Sequence, residues 1–283
     1  MRLFYIENEK GERYDLNAKE GIFFDNPSGL GQTMSVVSAD IHKGFFKDTT
    51  GDVEPQGSIL GDIVFTQSAY STYRTFINWL NKATALYFIY CPTSDTEFRR
   101  RVMLDYIEKT QLEASRWLRC PVCFKCMTPF YRAAATTLSM EDAGSAMRYT
   151  YTYDDDLRYA ASSIPGMSCE IQGQGHIPSA INFSVTGALA NPQLTLTGED
   201  SGTVYGKLKL STSTTSGQTL NVISRYGETS VTIDGVNALQ YVDLSYDPWI
   251  RIPTTETCNL VLSSDDDMSV TVTLLMYDYY RSV

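Results

Sequence analysis

From Ile171 onward apolar residues recur at every second position in short runs, and no stretch of this half spaces them at three and four. The runs are Ile181-Phe183-Val185, Leu194-Leu196, Leu208-Leu210, Leu220-Val222, Val231-Ile233, Val242-Leu244, the segment Trp249 to Ile252, Leu260-Leu262 and Val270-Val272-Leu274-Met276. Gly, Asn or Pro interrupts them about every ten residues, the spacing of turns between short strands. Parallel strands need crossover helices, and these interruptions leave no room for one. The C-terminal part is therefore predicted to be an antiparallel β-sandwich or jelly roll of about 110 residues.

The N-terminal part is mixed. Leu3 to Ile6, Tyr14 to Leu16 and Ile22 to Phe24 read as strands, split by Glu9-Lys10-Gly11-Glu12 and ended by a turn at Asp25 to Gly29. Tyr70, Tyr73, Phe76, Ile77 and Leu80 lie on one helical face, which predicts a helix from Tyr70 to Lys82 with Ser68 or Ser71 as N-cap. Strands are expected at Ala85 to Cys91, stopped by Pro92, and at Phe98 to Gln111. Another is expected at Trp117 to Met127, where Leu118, Cys120, Val122, Phe124 and Cys126 alternate with Arg119, Pro121, Cys123 and Lys125. The Ala-, Thr- and Ser-rich stretch from Arg132 to Ala146 reads as a loop or arm. Tyr149, Tyr151 and Tyr153 read as a strand, and Ser162-Ser163-Ile164-Pro165-Gly166 as a hinge. A boundary near 166–170 then divides the 283 residues into domains at 1–168 and 169–283.

Charge and cysteine usage exclude several functions. Lys and Arg number 23 against 33 Asp and Glu, a net charge of −10 and the wrong sign for affinity built on phosphate neutralisation. No apolar run approaches the roughly 18 residues of a spanning helix, and acids follow Met1-Arg2-Leu3-Phe4-Tyr5-Ile6 at once, so neither membrane insertion nor a signal peptide is expected. A chain that folds in cytoplasm keeps its six cysteines reduced.

Candidate chemistry is sparse. Cys120, Cys123 and Cys126 have the spacing of thiolate ligands for zinc or an iron–sulfur cluster. A fourth ligand is missing, however, and an extended strand turns Cys123 away from the other two, so all three are read as strand thiols. Cys91, Cys169 and Cys258 are single. Only His42 and His176 could serve a histidine-dependent nucleophile, and both lie in turn-rich sequence. Asp154-Asp155-Asp156 and Asp265-Asp266-Asp267 lack the ligand spacing of a calcium loop. Gly29-Leu30-Gly31 and Gly173-Gln174-Gly175 lack the third glycine of a nucleotide fingerprint and read as turns. Arg99-Arg100-Arg101 falls on a strand and is expected to form inter-strand or inter-subunit ion pairs. Exposed tyrosines and Trp249 are the side chains able to stack on a sugar. No catalytic, cofactor-binding or metal residue is nominated.

The order of these features resembles the distal tail proteins of long, non-contractile bacteriophage tails. The likeness rests on the opening "FYIENEKGERYDLN", the turn "GIFFDNPSGLG", the helix "YSTYRTFINWLNKATALYFIY" with "CPTSDTEFRRRVMLDYIEKTQ" after it, and "WLRCPVCFKCMTPFYR". It extends to the segment from "SAINFSVTGALANPQLTLTG" through "VTVTLLMYDYYRSV". The resemblance implies an N-terminal β-rich belt with one helix and a C-terminal sandwich like galectins or carbohydrate-binding modules. It also implies a non-enzymatic virion protein, assembled in host cytoplasm, whose six copies form a ring at the tail tip. The implied partners are further copies of the chain, the tail tube protein, a tail-associated hub or fibre protein and receptor-binding proteins, with DNA passing through unbound. Two other readings stay open: a carbohydrate-binding module or adhesin, and a tail-tube subunit.

Overall fold

The computed structural model describes residues 2–19, 21–31, 38–41, 44–47, 57–132, 136–138, 140–142, 166–266 and 268–283. The predicted strand at Tyr149 to Tyr153, together with His42, Asp154 to Asp156 and residues 162–165 of the predicted hinge, lies outside them. Contacts divide the chain into two compact units, Met1–Ala133 with Tyr280–Val283, and Ala134–Tyr279. No helix among the described residues is long and apolar enough to cross a membrane.

The first unit contains strands β1 (Leu3–Asn8), β2 (Arg13–Asp15), β3 (Ile22–Ser28), β4 (Ser38–Ile41), β5 (Gly44–Lys47) and β6 (Ser58–Phe65), then helix α1 (Ala69–Leu80). It continues with β7 (Leu86–Thr93), β8 (Thr96–Ile107), β9 (Leu118–Cys126) and β10 (Phe130–Arg132). Among the described residues, β4 and β5 pair only with each other. The remaining ladder is antiparallel in the order β2-β1-β7-β8-β9-β6-β3, with β10 also on β8. Leu16 serves both ends of this order: its N–H donates to Phe4 O, and its carbonyl accepts the Phe24 N–H, each at 3.0 Å.

Alternation along these strands sends Phe4, Ile6, Phe24, Ile63, Phe88, Val122 and Phe124 into one core, which α1 closes with Phe76 and Leu80. Burial of each such side chain contributes about 1.5–3 kcal/mol. Phe98 and Tyr280 meet edge-on at 5.2 Å, and the Val283 N–H donates to Leu30 O at 3.3 Å, which is why residues 280–283 count with this unit.

The predicted elements are present with local differences, β8 ending at Ile107 short of the expected Gln111. α1 covers Ala69–Leu80, with Tyr70 outside its buried face, and Ser68 occupies the N-cap position in a left-handed conformation (φ 44°) without a side-chain bond. β3 runs through the expected turn to Ser28, accommodated by a register shift between Asp25 and Ser28 and by Asn26 at φ 49°. The turn follows instead at Gly29, whose φ of +87° and contact with Ser58 leave no space for a side chain. β7 passes Pro92 because the β7–β8 register also shifts, between Tyr90 and Thr93.

The second unit is built from β11 (Thr136–Leu138), β12 (Glu141–Asp142), β13 (Gly166–Ile171), β14 (Ile177–Ala190), β15 (Gln193–Gly198) and β16 (Val204–Lys209). β17 (Ser213–Thr214), β18 (Thr219–Arg225), β19 (Glu228–Ile233), β20 (Val236–Asn237), β21 (Arg251–Ile252), β22 (Cys258–Ser263) and β23 (Ser269–Tyr280) complete it. One sheet runs β11-β23-β14-β18-β19-β20, with β17 and β21 also on β14, and the other runs β12-β13-β22-β15-β16. Ile181, Phe183, Val222 and Leu274 from the first meet Leu194, Leu196, Leu260 and Leu262 from the second in one core. This is the antiparallel sandwich that the period-two pattern predicts.

Two expectations change here. The Arg132 to Ala146 stretch is not simply a loop: β11 pairs with β23, β12 pairs with β13, and Met140 is buried in the sandwich core. These pairings carry the second unit back to residue 134, ahead of the expected junction near 166–170, and Gly166 begins β13. Val242 to Leu244 forms no strand. Leu239–Tyr241 is a 3-10 turn, and Val242 makes a single bridge to Leu210.

Candidate functional surfaces

The face of β1 opposite the core carries Tyr5 and Glu7. Glu7 is buried, and a carboxylate there demands compensating charge. Arg13 Nη2 lies 2.8 Å from Glu7 Oε2, Arg99 bonds Glu7 Oε1, and Arg13 Nη1 reaches Glu97 at 3.1 Å. Arg13 also covers the Tyr5 ring and Arg99 the Tyr87 ring, at 5.1 and 5.2 Å. Ile89, in register between Tyr5 and Arg99, is fully buried on this face. The arginine run thus separates by strand alternation, and Arg99 makes the expected inter-strand ion pair. Arg100 sits 5.1 Å over the Phe130 ring and bonds Thr128 O, while the Arg101 backbone N–H donates to Thr128 Oγ1.

On β6, β9 and β8 the corresponding face is more apolar. Leu60, Cys123 and Tyr106 form one cross-strand row, and Ser58, Lys125 and Met103 form the next. Leu60, Tyr106 and Met103 are exposed over the buried Cys123. Lys125 pairs with Asp105 at 2.9 Å, and Arg119 Nη1 holds Asp25 and Asp62 at 2.7 and 2.9 Å. The hydrogen bond from Arg119 holds the Asp25 carboxyl below its ordinary value.

The third surface is a cleft of about 520 Å³ lined by Asn8, Glu9, Lys10, Glu12 and Tyr14 of the β1–β2 hairpin and by Thr75, Asn78, Trp79 and Lys82. The last four recur at helical spacing, so α1 presents one stripe to the core and another to this cleft. Asn8, itself buried, braces the hairpin: its Oδ1 accepts the Lys10 and Glu12 N–H groups at 3.0 and 2.9 Å, and its Nδ2 donates to Glu12 Oε2 at 2.7 Å. Trp79 Nε1 donates to the same oxygen at 3.1 Å, and its ring meets Tyr14 edge-on at 4.8 Å. Glu9 Oε2 accepts the Thr84 and Ala85 N–H groups at 3.0 and 3.3 Å, and hydrogen bonds from backbone N–H groups hold its carboxyl below the ordinary value.

β9 places Cys120 and Cys126 in the core and Cys123 on the opposite face, as alternation requires. Burial pushes the Cys120 and Cys126 thiols up. No group of three or more His, Cys, Asp or Glu gathers at metal-binding distance among the described residues. His176 is exposed, with its backbone N–H bonded to Tyr279 O. Asp265 accepts from Asn191 Nδ2 at 2.8 Å within a turn. Trp249 packs against the sandwich core. Sequence alone does not mark Trp79 and its neighbours, because the apolar stripe of α1 lies on the other face. A Trp off that stripe, flanked by Thr75, Asn78 and Lys82, was the available signal.

Residues 3–127 match the family described as distal tail protein, N-terminal domain. No curated protein matches the chain. Among solved structures, the fold is similar to a chain of the phage P2 baseplate in its activated conformation with calcium, with a TM-score of 0.64, 13% identity and coverage of 100% of both chains. The same baseplate with strontium gives a TM-score of 0.62 at 13% identity, again over 100% of both chains. The Dit protein of phage SPP1, described as a paradigm of the hub adsorption apparatus in phages infecting Gram-positive bacteria, gives 0.61 at 12% identity, covering 97% of this chain and 98% of that one.

Proposed function

We propose, from the match of residues 3–127 to the distal tail protein N-terminal domain, that six copies of the chain close into a ring that joins a phage tail tube to the hub beneath it. The chain is a structural component of a phage tail tip and has its place in the virion tail. The carrying observation is that the matched residues fall within the first compact β unit. A ring of identical chains uses one heterologous contact repeated until the rotation closes. In this reading the sandwich unit faces the hub and receptor-binding proteins, DNA passes through the ring without specific binding, and assembly takes place in the host cytoplasm. The role is one of assembly, without catalysis.

Light scattering after size exclusion tests this. Six copies of the 31.7 kDa chain give about 190 kDa. A discrete species at that mass supports the ring. Open-ended elongation favours a tail-tube subunit instead, and a chain that stays monomeric both alone and with co-expressed hub protein overturns the reading.

A further inference from the structure

We infer that the flank of the sandwich formed by β16, β20 and residues 236–247 is a two-fold contact surface for a second copy of this chain. The inference concerns the second unit and does not depend on ring formation.

Exposed apolar side chains gather there. Among the described residues of the second unit, every large hydrophobic residue that is exposed lies on β16, on β20 or in the segment that follows β20: Val204, Val236, Leu239, Tyr241, Leu244 and Tyr246. Leu244 is 75% and Val236 71% exposed. Topology makes these one surface, because β20 ends the path of one sheet and β16 ends that of the other. The chain after β20 crosses from the first edge to the second. The Ala238 N–H donates to Val231 O at 2.9 Å, and residues 241–247 then run antiparallel to β16. Ser211 N–H donates to Tyr241 O, Asp243 N–H to Lys209 O and Lys207 N–H to Asp247 O, at 2.8, 2.9 and 3.0 Å. Single exposed apolar residues are ordinary, whereas a gathering on one flank marks a contact surface.

The arrangement of charge selects the occupant. With a net charge of −10, two copies of the chain repel over most of their surface. Here the signs stand in two columns: Lys207 and Lys209 on β16, Asp243 and Asp247 on the segment bonded along it. Lys207 Nζ lies 4.6 Å from the centre of the Tyr246 ring. Hydrogen bonds from Ser245, and then the charges of Lys209 and Lys207, hold the Asp243 carboxyl below its ordinary value, so the columns are close enough to act on one another. Asp234, at the β19–β20 turn, adds one acid, which accepts the Thr219 N–H at 2.8 Å. A two-fold axis along the strand direction sets the lysines of one copy over the aspartates of the other, with apolar side chains between apolar side chains. A partner surface of one sign leaves one column unanswered; a second copy answers both.

Sedimentation velocity of the full chain between about 1 and 100 μM tests this. A two-fold contact doubles whichever species forms, from 31.7 to about 63 kDa or from about 190 to about 380 kDa. Leu244→Asp should weaken the doubling at least about tenfold with an unchanged melting curve, since the side chain is exposed. Lys207→Glu/Lys209→Glu, which makes both columns acidic, should weaken it at least about tenfold, and more at low salt. Leu60→Asp, in the first unit, should leave it in place. Absence of doubling up to about 100 μM, or doubling undiminished in Leu244→Asp or in the lysine pair, overturns the assignment. Doubling that persists without a six-fold species counts against the ring alone, and a six-fold species that does not double counts against this contact alone.

Discussion

Ser179 Oγ donates to Asp278 Oδ1 at 2.6 Å with both side chains buried, at the point where the β14–β23 register shifts between Ile177 and Ala180. The same carboxylate oxygen accepts the Gln174 N–H at 2.9 Å, so one side chain fastens the irregular start of β14. Asp278→Ala leaves buried donors unanswered and should cost about 2–3 kcal/mol, whereas Ser179→Ala should cost about 1 kcal/mol. Urea denaturation followed by circular dichroism measures both, and equal costs would show that the carboxylate does not organise the bulge.

Gly29→Ala should destabilise the first unit by at least about 2 kcal/mol. The φ of +87° disfavours any side chain, and an added Cβ would stand 1.9 Å from Ser58 O. Gly11 has a similar φ of +78° but nothing within 4 Å, so Gly11→Ala carries only the conformational cost, about 1 kcal/mol. Paired denaturant titrations of the two variants separate strain from collision.

The Arg119–Asp25 pair predicts a pH signature. Because the carboxyl of Asp25 is lowered below its ordinary 3.8, its contribution to stability is present above that value and fades as pH falls through the depressed folded one. Arg119→Ala removes the cause. The stability gap between wild type and variant should hold from pH 7 to about 5 and narrow as pH drops toward 3, though modestly, since the pair is partly exposed. A constant gap across that range would contradict the assignment.

Alternation made much of this architecture legible. It separated Cys123 from Cys120 and Cys126 and placed most strands of the sandwich, because a two-sided strand writes its burial into every second residue. It failed where backbone, not side chain, decides. β11 (Thr-Thr-Leu) and β12 (Glu-Asp) pair through peptide groups over two or three residues, too few to carry a pattern, and β7 and β3 cross Pro92 and Pro27 by shifting register. Val242 and Leu244 have the period of a strand, but the turn at Leu239–Tyr241 takes the chain out of extended pairing. The cleft was hidden for another reason: Trp79 and Glu12 are 67 residues apart in sequence, and nothing local announces their bond.

Thiol chemistry gives a further check. Burial raises Cys169 and Cys258 to about 11 and also raises Cys91, Cys120 and Cys126. The thiolate is the reactive form. Alkylation of these five with iodoacetamide at pH 8 should therefore be slow in the native protein, and all six cysteines should label promptly in denaturant. Fast native labelling of Cys120 or Cys126, read by peptide mass spectrometry, would show that the first core opens readily.

Residues 280–283 belong with the first unit, so the chain leaves that unit, builds the sandwich, and returns. Translation follows the same route. A nascent chain that has delivered residues 1–133 still lacks the partner of Phe98 and the donor to Leu30 O, and gains them only after the sandwich strands have left the ribosome. A fragment cut at 133 should accordingly melt lower than the same unit in the full chain, and deletion of residues 280–283 should be felt in the N-terminal half.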